Sequence, residues 1–131
     1  MKKYYYPAVF QPEEVGYSVW LADIDGVISQ GDTLEKTIEN IKDAFGLYIE
    51  YSQEQKSELP KASNPADITL EKGQFVCFIE FDWVEYQRKH GNKAVKKTLT
   101  IPAWLNTLAE KEHINFSSVL REALENILKT N

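Results

Sequence analysis

Residues 94–128 read AVKKTLTIPAWLNTLAEKEHINFSSVLREALENIL, and this stretch decides the fold of the C-terminal part of the chain. Apolar and polar side chains alternate over Val95–Ile101, which predicts a single β-strand. A short helix over Ala103–Glu112 follows. A second helix is expected to begin at Ser117 or Ser118, because either hydroxyl can cap it. The order strand, helix, helix is therefore predicted for these residues.

This strand and its two helices are too small to fold alone. Segments of fewer than about 40 residues usually need a disulfide, a metal ion or a second chain. The single cysteine, Cys77, and the two histidines argue against the first two. A lone strand also lacks a local partner for its backbone groups, so we expect a homodimer with paired strands and one shared core. The side chains expected in that core are Leu99, Ile101, Leu105, Leu108, Leu120, Leu124 and Ile127.

Charge is distributed unevenly along the 131 residues, whose net charge is −5. Residues 1–85 carry 7 Lys/Arg and 16 Asp/Glu, a net −9, whereas residues 86–131 carry 8 and 4, a net +4. Such asymmetry indicates two surfaces with different partners. A run of lysines is also common in solvated linkers, so charge alone does not identify a nucleic-acid partner.

The first 90 residues predict an α+β domain with an antiparallel sheet. Strands are expected at Tyr4–Gln11, Tyr17–Leu21 and Val27–Gln30, and Pro7 indicates an edge position for the first of them. Phe75–Asp82 is apolar on both faces, which is typical of a central strand.

One amphipathic helix is expected to cover this sheet. Asp32 can cap it, and Glu35 three residues later completes a capping-box pattern. Its apolar stripe consists of Leu34, Ile38, Ile41, Phe45, Tyr48 and Ile49. Gln53–Asp67 is expected to be a loop, and Trp83–Lys89 a short helix.

The chain is thus divided into a domain over residues 1–90, a hinge over 91–94 and a second domain over 95–131. It has no apolar run long enough to span a membrane and no signal-peptide pattern. Together with the single cysteine, this predicts a cytoplasmic protein with no membrane partner.

Residues 94–128 resemble the ribbon-helix-helix DNA-binding domain, the class of the Arc and MetJ repressors. The upstream segments YPAVF (6–10), GYSVWLADIDGV (16–27) and SQGDTLEKTIENIKDAF (29–45) are similar to HicB antitoxins. This resemblance implies a partial ribonuclease-H-like first domain that inhibits a HicA toxin, a small basic ribonuclease. It further implies a dimeric second domain that binds operator DNA and represses its own operon, with larger assemblies formed with the toxin.

The resemblance places the paired strands in the DNA major groove. The outward side chains there are Lys96, Thr98 and Thr100, which can contact base edges. Lys93 and Lys97 are expected to attract the phosphate backbone. Ser117 and Ser118 are expected to present backbone N–H groups to a phosphate.

A basic toxin favours an acidic binding surface, and the first domain supplies one. The candidate contacts are five acids and two aromatic anchors: Glu13, Glu14, Asp23, Asp25, Asp32, Tyr17 and Trp20. The competing interpretation is that the acids are ordinary solvated turn residues and that Trp20 belongs to the core.

Two other functions fit parts of the sequence. One is a ribbon-helix-helix repressor whose first domain senses a small ligand. The other is a nuclease in which Asp23, Asp25, Glu39 and Asp43 gather around Mg²⁺. Residues 1–89 contain no histidine that could act as a base. We therefore predict a protein that is not an enzyme, with no catalytic residues, no metal and no cofactor.

Overall fold

The computed structural model describes residues 3–91 and 93–128, which form two compact units divided between His90 and Gly91. The first unit contains β1 (Lys3–Pro12), β2 (Tyr17–Leu21), β3 (Ile28–Gly31), α1 (Leu34–Glu54), a 3-10 turn (Pro65–Asp67), β4 (Phe75–Asp82) and α2 (Trp83–His90). The second contains α3 (Ala103–Lys111) and α4 (Phe116–Leu128). The α+β class is confirmed, and each unit is described by itself below. No helix among the described residues is both long and apolar enough to cross a membrane.

The four strands form one antiparallel sheet in the order β3-β2-β1-β4. The edge position expected for β1 is therefore wrong, because β1 lies between β2 and β4. Pro7 is tolerated there for a geometric reason. The Pro7 carbonyl accepts a hydrogen bond from the Ala22 N–H at 3.1 Å, so both the carbonyl and the nitrogen of Pro7 face β2 and not β4. On that side the paired residues of β2 end at Leu21, opposite Ala8. The missing N–H of Pro7 thus removes no bond from the sheet.

The central position expected for Phe75–Asp82 is also wrong, because β4 is an edge strand that pairs with β1 alone. Its two faces are nevertheless both apolar. Ile79 and Phe81 are buried against α1, while Phe78 points to the opposite face and is 51% exposed. Apolar side chains on both faces are typical of a strand that is covered on both sides. In β4, however, only the face toward α1 is covered, and the other apolar face is exposed.

α1 covers one face of the sheet, as predicted, and encloses the hydrophobic core with it. The buried cluster consists of Tyr6, Ala8, Phe10, Val19, Leu21, Ile24, Val27, Ile41, Phe45, Ile49, Ile79, Phe81 and Tyr86. The cap predicted at Asp32 is wrong by one residue, because Thr33 is extended and its Oγ1 accepts the Lys36 N–H at 3.1 Å. The helix continues to Glu54, five residues past the predicted stripe.

The long loop between α1 and β4 is tied to the sheet by two side chains. The Tyr6 hydroxyl donates a hydrogen bond to the Pro60 carbonyl. The Asp23 carboxylate accepts bonds from both the backbone N–H and the hydroxyl of Ser63. These contacts join the loop to residues 40 to 54 positions earlier in the chain.

The second unit contains the two predicted helices but not the predicted strand. Val95–Ile101 has no regular structure in this single chain, since no partner strand is present to receive its hydrogen bonds. The α4 cap expected at Ser117 or Ser118 is instead Asn115, whose Oδ1 accepts the Ser118 N–H at 3.1 Å. Neither α3 nor α4 has a single buried residue.

Candidate functional site

A concavity at the β1–β2 hairpin brings three of the predicted toxin contacts together. Glu13, Tyr17 and Asp32 line this space of about 590 Å³, together with Lys36. Glu13 accepts hydrogen bonds from the Gln11 side-chain amide at 2.8 Å and from the Ser18 hydroxyl at 3.3 Å. Its carboxylate is therefore held in place by its neighbours while remaining exposed.

The other four predicted toxin contacts lie elsewhere on the first unit. Glu14 is an exposed residue of the β1–β2 turn, and Asp25 is exposed in the turn between β2 and β3. The carboxylate of Asp23 is bonded to Ser63, so it has a structural role in holding the long loop. The seven residues therefore do not form one continuous patch.

Trp20 lies on the open face of the sheet, opposite α1. It pairs with Val9 and Ile28 in the ladders, and it is half-buried and outside the core cluster. The same face carries Tyr5 at 53%, Ile28 at 65% and Phe78 at 51% exposure. The core position weighed for Trp20 is thus wrong, and the residue belongs to an exposed apolar face.

A second acidic region lies where α2 returns to α1. Lys89 Nζ is 3.3 Å from Asp43 Oδ1 and 3.5 Å from Glu39 Oε1, and His90 Nε2 is 3.2 Å from the same Asp43 oxygen. The hydrogen bond to Asp43 raises the pKa of Lys89 above its usual value. The sequence suggested Glu39 and Asp43 as metal ligands or as solvated residues of the helix, because nothing local indicates that residues 89 and 90 return to them.

The magnesium site weighed for the nuclease alternative has no geometric support among the described residues. No three His, Cys, Asp or Glu side chains there are arranged to hold a metal ion. Asp23 is bonded to Ser63, whereas Glu39 and Asp43 are paired with Lys89. Three of the four carboxylates thus have other partners, and Asp25 is exposed in the turn between β2 and β3.

The second unit exposes both sets of side chains predicted for it. Lys93, Lys96, Lys97, Thr98 and Thr100 are all exposed in the segment before α3. Ser117 and Ser118 lie in the first turn of α4, where the Ser118 N–H donates to Asn115 Oδ1 and is not free for a phosphate in the single chain. The side chains of the expected dimer core are between 36% and 74% exposed in the single chain: Leu99, Ile101, Leu105, Leu108, Leu120, Leu124 and Ile127.

Known proteins resemble this chain over most of its length. A family model described as a HicB-like antitoxin of bacterial toxin–antitoxin systems matches residues 6–124. An uncharacterized 14.9 kDa protein from Haemophilus phage HP1 is 36% identical over 101 residues, which cover 76% of this chain and 74% of that protein.

Two solved structures share the fold. A crystal structure of antitoxin HicB3 has a TM-score of 0.54 at 26% identity, and the match covers 95% of this chain and 98% of that one. A HicA3–HicB3 toxin–antitoxin complex has a TM-score of 0.52 at 25% identity, covering 60% of this chain and 99% of the matched chain.

Proposed function

The chain belongs to the HicB-like antitoxin family of bacterial toxin–antitoxin systems, and from this premise we propose that its first unit binds and inhibits a basic HicA-type ribonuclease. The observation that carries the proposal is the charge of the first unit on a fold shared with HicB. Residues 1–90 carry 9 Lys/Arg and 16 Asp/Glu, a net charge of −7, which is complementary to a cationic RNA-binding face.

The HicA3–HicB3 complex supports the assignment of toxin binding to a part of the chain. The match uses only 60% of this chain but covers 99% of the chain in the complex. A chain with only part of the present fold therefore occurs in a structure of a toxin–antitoxin complex. We assign this role to the first unit, which has a buried core of its own. Bound there, the antitoxin would compete with RNA phosphates for the cationic surface of the toxin.

We further propose that the second unit dimerises and binds operator DNA as a ribbon-helix-helix. Seven apolar side chains predicted for its core are exposed in the single chain, and Val95–Ile101 has no strand partner. A second copy would cover the apolar side chains and would provide the strand partner, because two Val95–Ile101 segments can pair antiparallel above four helices. The paired strands would then present Lys96, Thr98 and Thr100 to the major groove.

Co-expression tests the antitoxin proposal. The probe is a short basic protein encoded next to this chain, produced from an inducible promoter in a host without either gene. Its induction is expected to arrest growth, and the full-length chain is expected to restore growth. If the chain co-purifies with the toxin but does not restore growth, the proposed inhibition is wrong. If it neither co-purifies nor restores growth, the proposed binding is wrong as well.

A further inference from the structure

One edge of the sheet in the first unit is open along the whole of β4. This strand, Phe75–Asp82, pairs with β1 alone and has no neighbouring strand on its other side. Phe78 lies directly opposite Pro7, whose own backbone groups face β2. Because successive residues of a strand direct their N–H and C=O groups to opposite sides, the backbone groups of Phe78 point away from β1. The same holds for Val76 and Glu80, and we call these three residues the open edge of β4.

The open edge of β4 lacks a partner that only a strand can supply. Within residues 3–91 and 93–128, its outward N–H and C=O groups form no hydrogen bond. Exposed edges are usually protected by short length, by lysine or by proline. The opposite edge strand, β3, has only four residues, whereas β4 has eight residues and contains neither lysine nor proline. The Phe78 side chain is also 51% exposed on the open face of the sheet.

We propose that the open edge of β4 pairs antiparallel with the same edge of a second copy of this chain, about a two-fold axis between the two Phe78 residues. β4 itself supplies the chemistry of this occupant, because the second copy carries an identical unpaired strand. Two identical strands form an antiparallel ladder in which each edge complements the other. The two four-stranded sheets would then become one continuous sheet.

The side chains of the open edge favour the register centred on Phe78. In this register the two Phe78 rings lie opposite each other, and aromatic cross-strand pairs are stabilising. Each Glu80 lies opposite Val76 of the second copy, so the two Glu80 residues are about 14 Å apart along the strands, beyond the Debye length of about 10 Å at 0.1 M salt. A register centred on Glu80 would place two carboxylates directly opposite, which is destabilising. Glu80 is also paired with Lys3 at 3.4 Å, which offsets its charge.

The pairing is expected to be weak on its own. It uses one short strand edge from each copy, and both first units carry a net charge of −7, so they repel each other at long range. We expect a dissociation constant on the order of 0.1–1 mM for this contact alone. Dilute samples therefore contain little of it unless it is trapped covalently.

Disulfide trapping in the full chain tests the pairing. All variants carry Cys77→Ser, so that the introduced thiol is the only one. Phe78→Cys places this thiol beside the two-fold axis, where the two Cα atoms would be about 5.5 Å apart, a separation that a disulfide can bridge. The matched control is Ile28→Cys, which replaces another exposed apolar residue on the same face, in the opposite edge strand. Non-reducing electrophoresis follows oxidation by glutathione, and circular dichroism verifies each fold.

Phe78→Cys is expected to form the covalent dimer at least about tenfold faster than Ile28→Cys, because the paired strands raise the effective concentration of the two thiols. Raising the salt concentration from about 50 to 500 mM should speed this reaction, since salt screens the repulsion between two negative units.

The register has a test of its own. Val76→Cys and Glu80→Cys chains should each form little disulfide alone, whereas the two chains produced together in one cell should crosslink to each other, because the proposed register places these positions opposite.

Four outcomes would overturn the proposal. Equal rates for Phe78→Cys and Ile28→Cys would indicate random collision, and a faster Ile28→Cys reaction would place the contact at β3. Fast trapping of Phe78→Cys without crosslinks between Val76→Cys and Glu80→Cys chains would exclude the register centred on Phe78. If Phe78→Cys is not trapped but Phe78→Lys weakens binding of the neighbouring toxin, the open edge of β4 is occupied by the toxin and not by a second copy.

Discussion

Gly46 of α1 lies directly against the ring of Tyr86 of α2. A Cβ at position 46 would come within 2.1 Å of Tyr86 Cε1, and Tyr86 is itself packed against Phe81 and Trp83 with ring centroids 5.5 and 5.6 Å away. The absence of a side chain at residue 46 therefore sets how closely α2 approaches α1.

Gly46→Ala is expected to destabilise the protein by about 1–2 kcal/mol, because overpacking of about 1–3 kcal/mol exceeds the helix-propensity gain of alanine. Urea unfolding measures the change. In a Tyr86→Leu background the same substitution should cost clearly less, since the ring is gone. An equal cost in both backgrounds would contradict a Gly46–Tyr86 contact as the cause.

Thr33→Ala is expected to lower the free energy of unfolding by about 1 kcal/mol, because Thr33 Oγ1 accepts the Lys36 N–H at the start of α1. Asp32→Ala is the matched control on the neighbouring residue. It should cost about 0.5 kcal/mol or less, since the exposed Asp32 carboxylate lies before the first turn of α1 and acts there through the helix dipole. Thermal and urea unfolding compare the two, and the reverse order would restore Asp32 as the cap.

Tyr6→Phe is expected to reduce stability at pH 7 by about 0.5–1.5 kcal/mol, because the hydroxyl no longer donates to the Pro60 carbonyl. It should also change the pH dependence. Burial, followed by the nearby Asp23 charge, raises the pKa of Tyr6 in the folded protein above its ordinary value of about 10.

A raised tyrosine pKa contributes stability that is complete below pH ~10 and is lost as the pH rises through the folded-state value. Stability of the unchanged protein should therefore fall above pH ~10, and Tyr6→Phe should make that fall shallower. Tyr86, whose pKa burial also raises, keeps part of the slope in the variant. Urea unfolding at several pH values measures this, and identical slopes would contradict the prediction.

Leu124→Asp is expected to convert the proposed dimer into monomers, because it introduces a carboxylate among the apolar side chains of α4. Leu124 is 47% exposed in the single chain and lies on the stripe that a second copy would cover. Sedimentation velocity measures the mass, and Asn126→Asp on the same helix is the charge-matched control. A dimer that survives Leu124→Asp would place the interface elsewhere.

Lys96→Ala with Thr100→Ala is expected to weaken operator binding about tenfold or more while the dimer persists, because both side chains are assigned to base contacts. Gel-shift titration at fixed salt measures the affinity. Arg121→Ala, which removes an exposed helix side chain paired with Glu125, serves as the control. Unchanged affinity in the double variant would show that the DNA-facing residues are misassigned.

Local pattern was enough to predict most elements of the first unit. β2 and the α1 stripe follow directly from alternation and from spacings of three and four. The order of strands could not be obtained in this way. Whether β1 or β4 lies at the edge depends on which strands pair, and Pro7 is compatible with a central strand only because β2 ends beside it.

The candidate sites were predicted less completely than the fold. The exposed hairpin acids were found because turns are visible in sequence, whereas the acidic region where α2 returns to α1 depends on the contact of Lys89 with Asp43, 46 positions earlier. Val95–Ile101 has no regular structure in the single chain, and its alternation is accounted for by the proposed pairing with a second copy.

The central position of β1 also has a consequence for the time at which the first unit becomes complete during synthesis. β1 obtains its second neighbour only when residues 75–82 are available, about 70 residues after β1 itself has been made. At roughly 5–20 residues per second the wait is about 4–14 s. Pairing over such a distance also requires closure of a long loop, whose entropy cost comes before the contacts between β1 and β4 can form. Newly made chains therefore pass through a period of seconds in which the apolar strand β1 is present and its pairing with β4 has not yet formed.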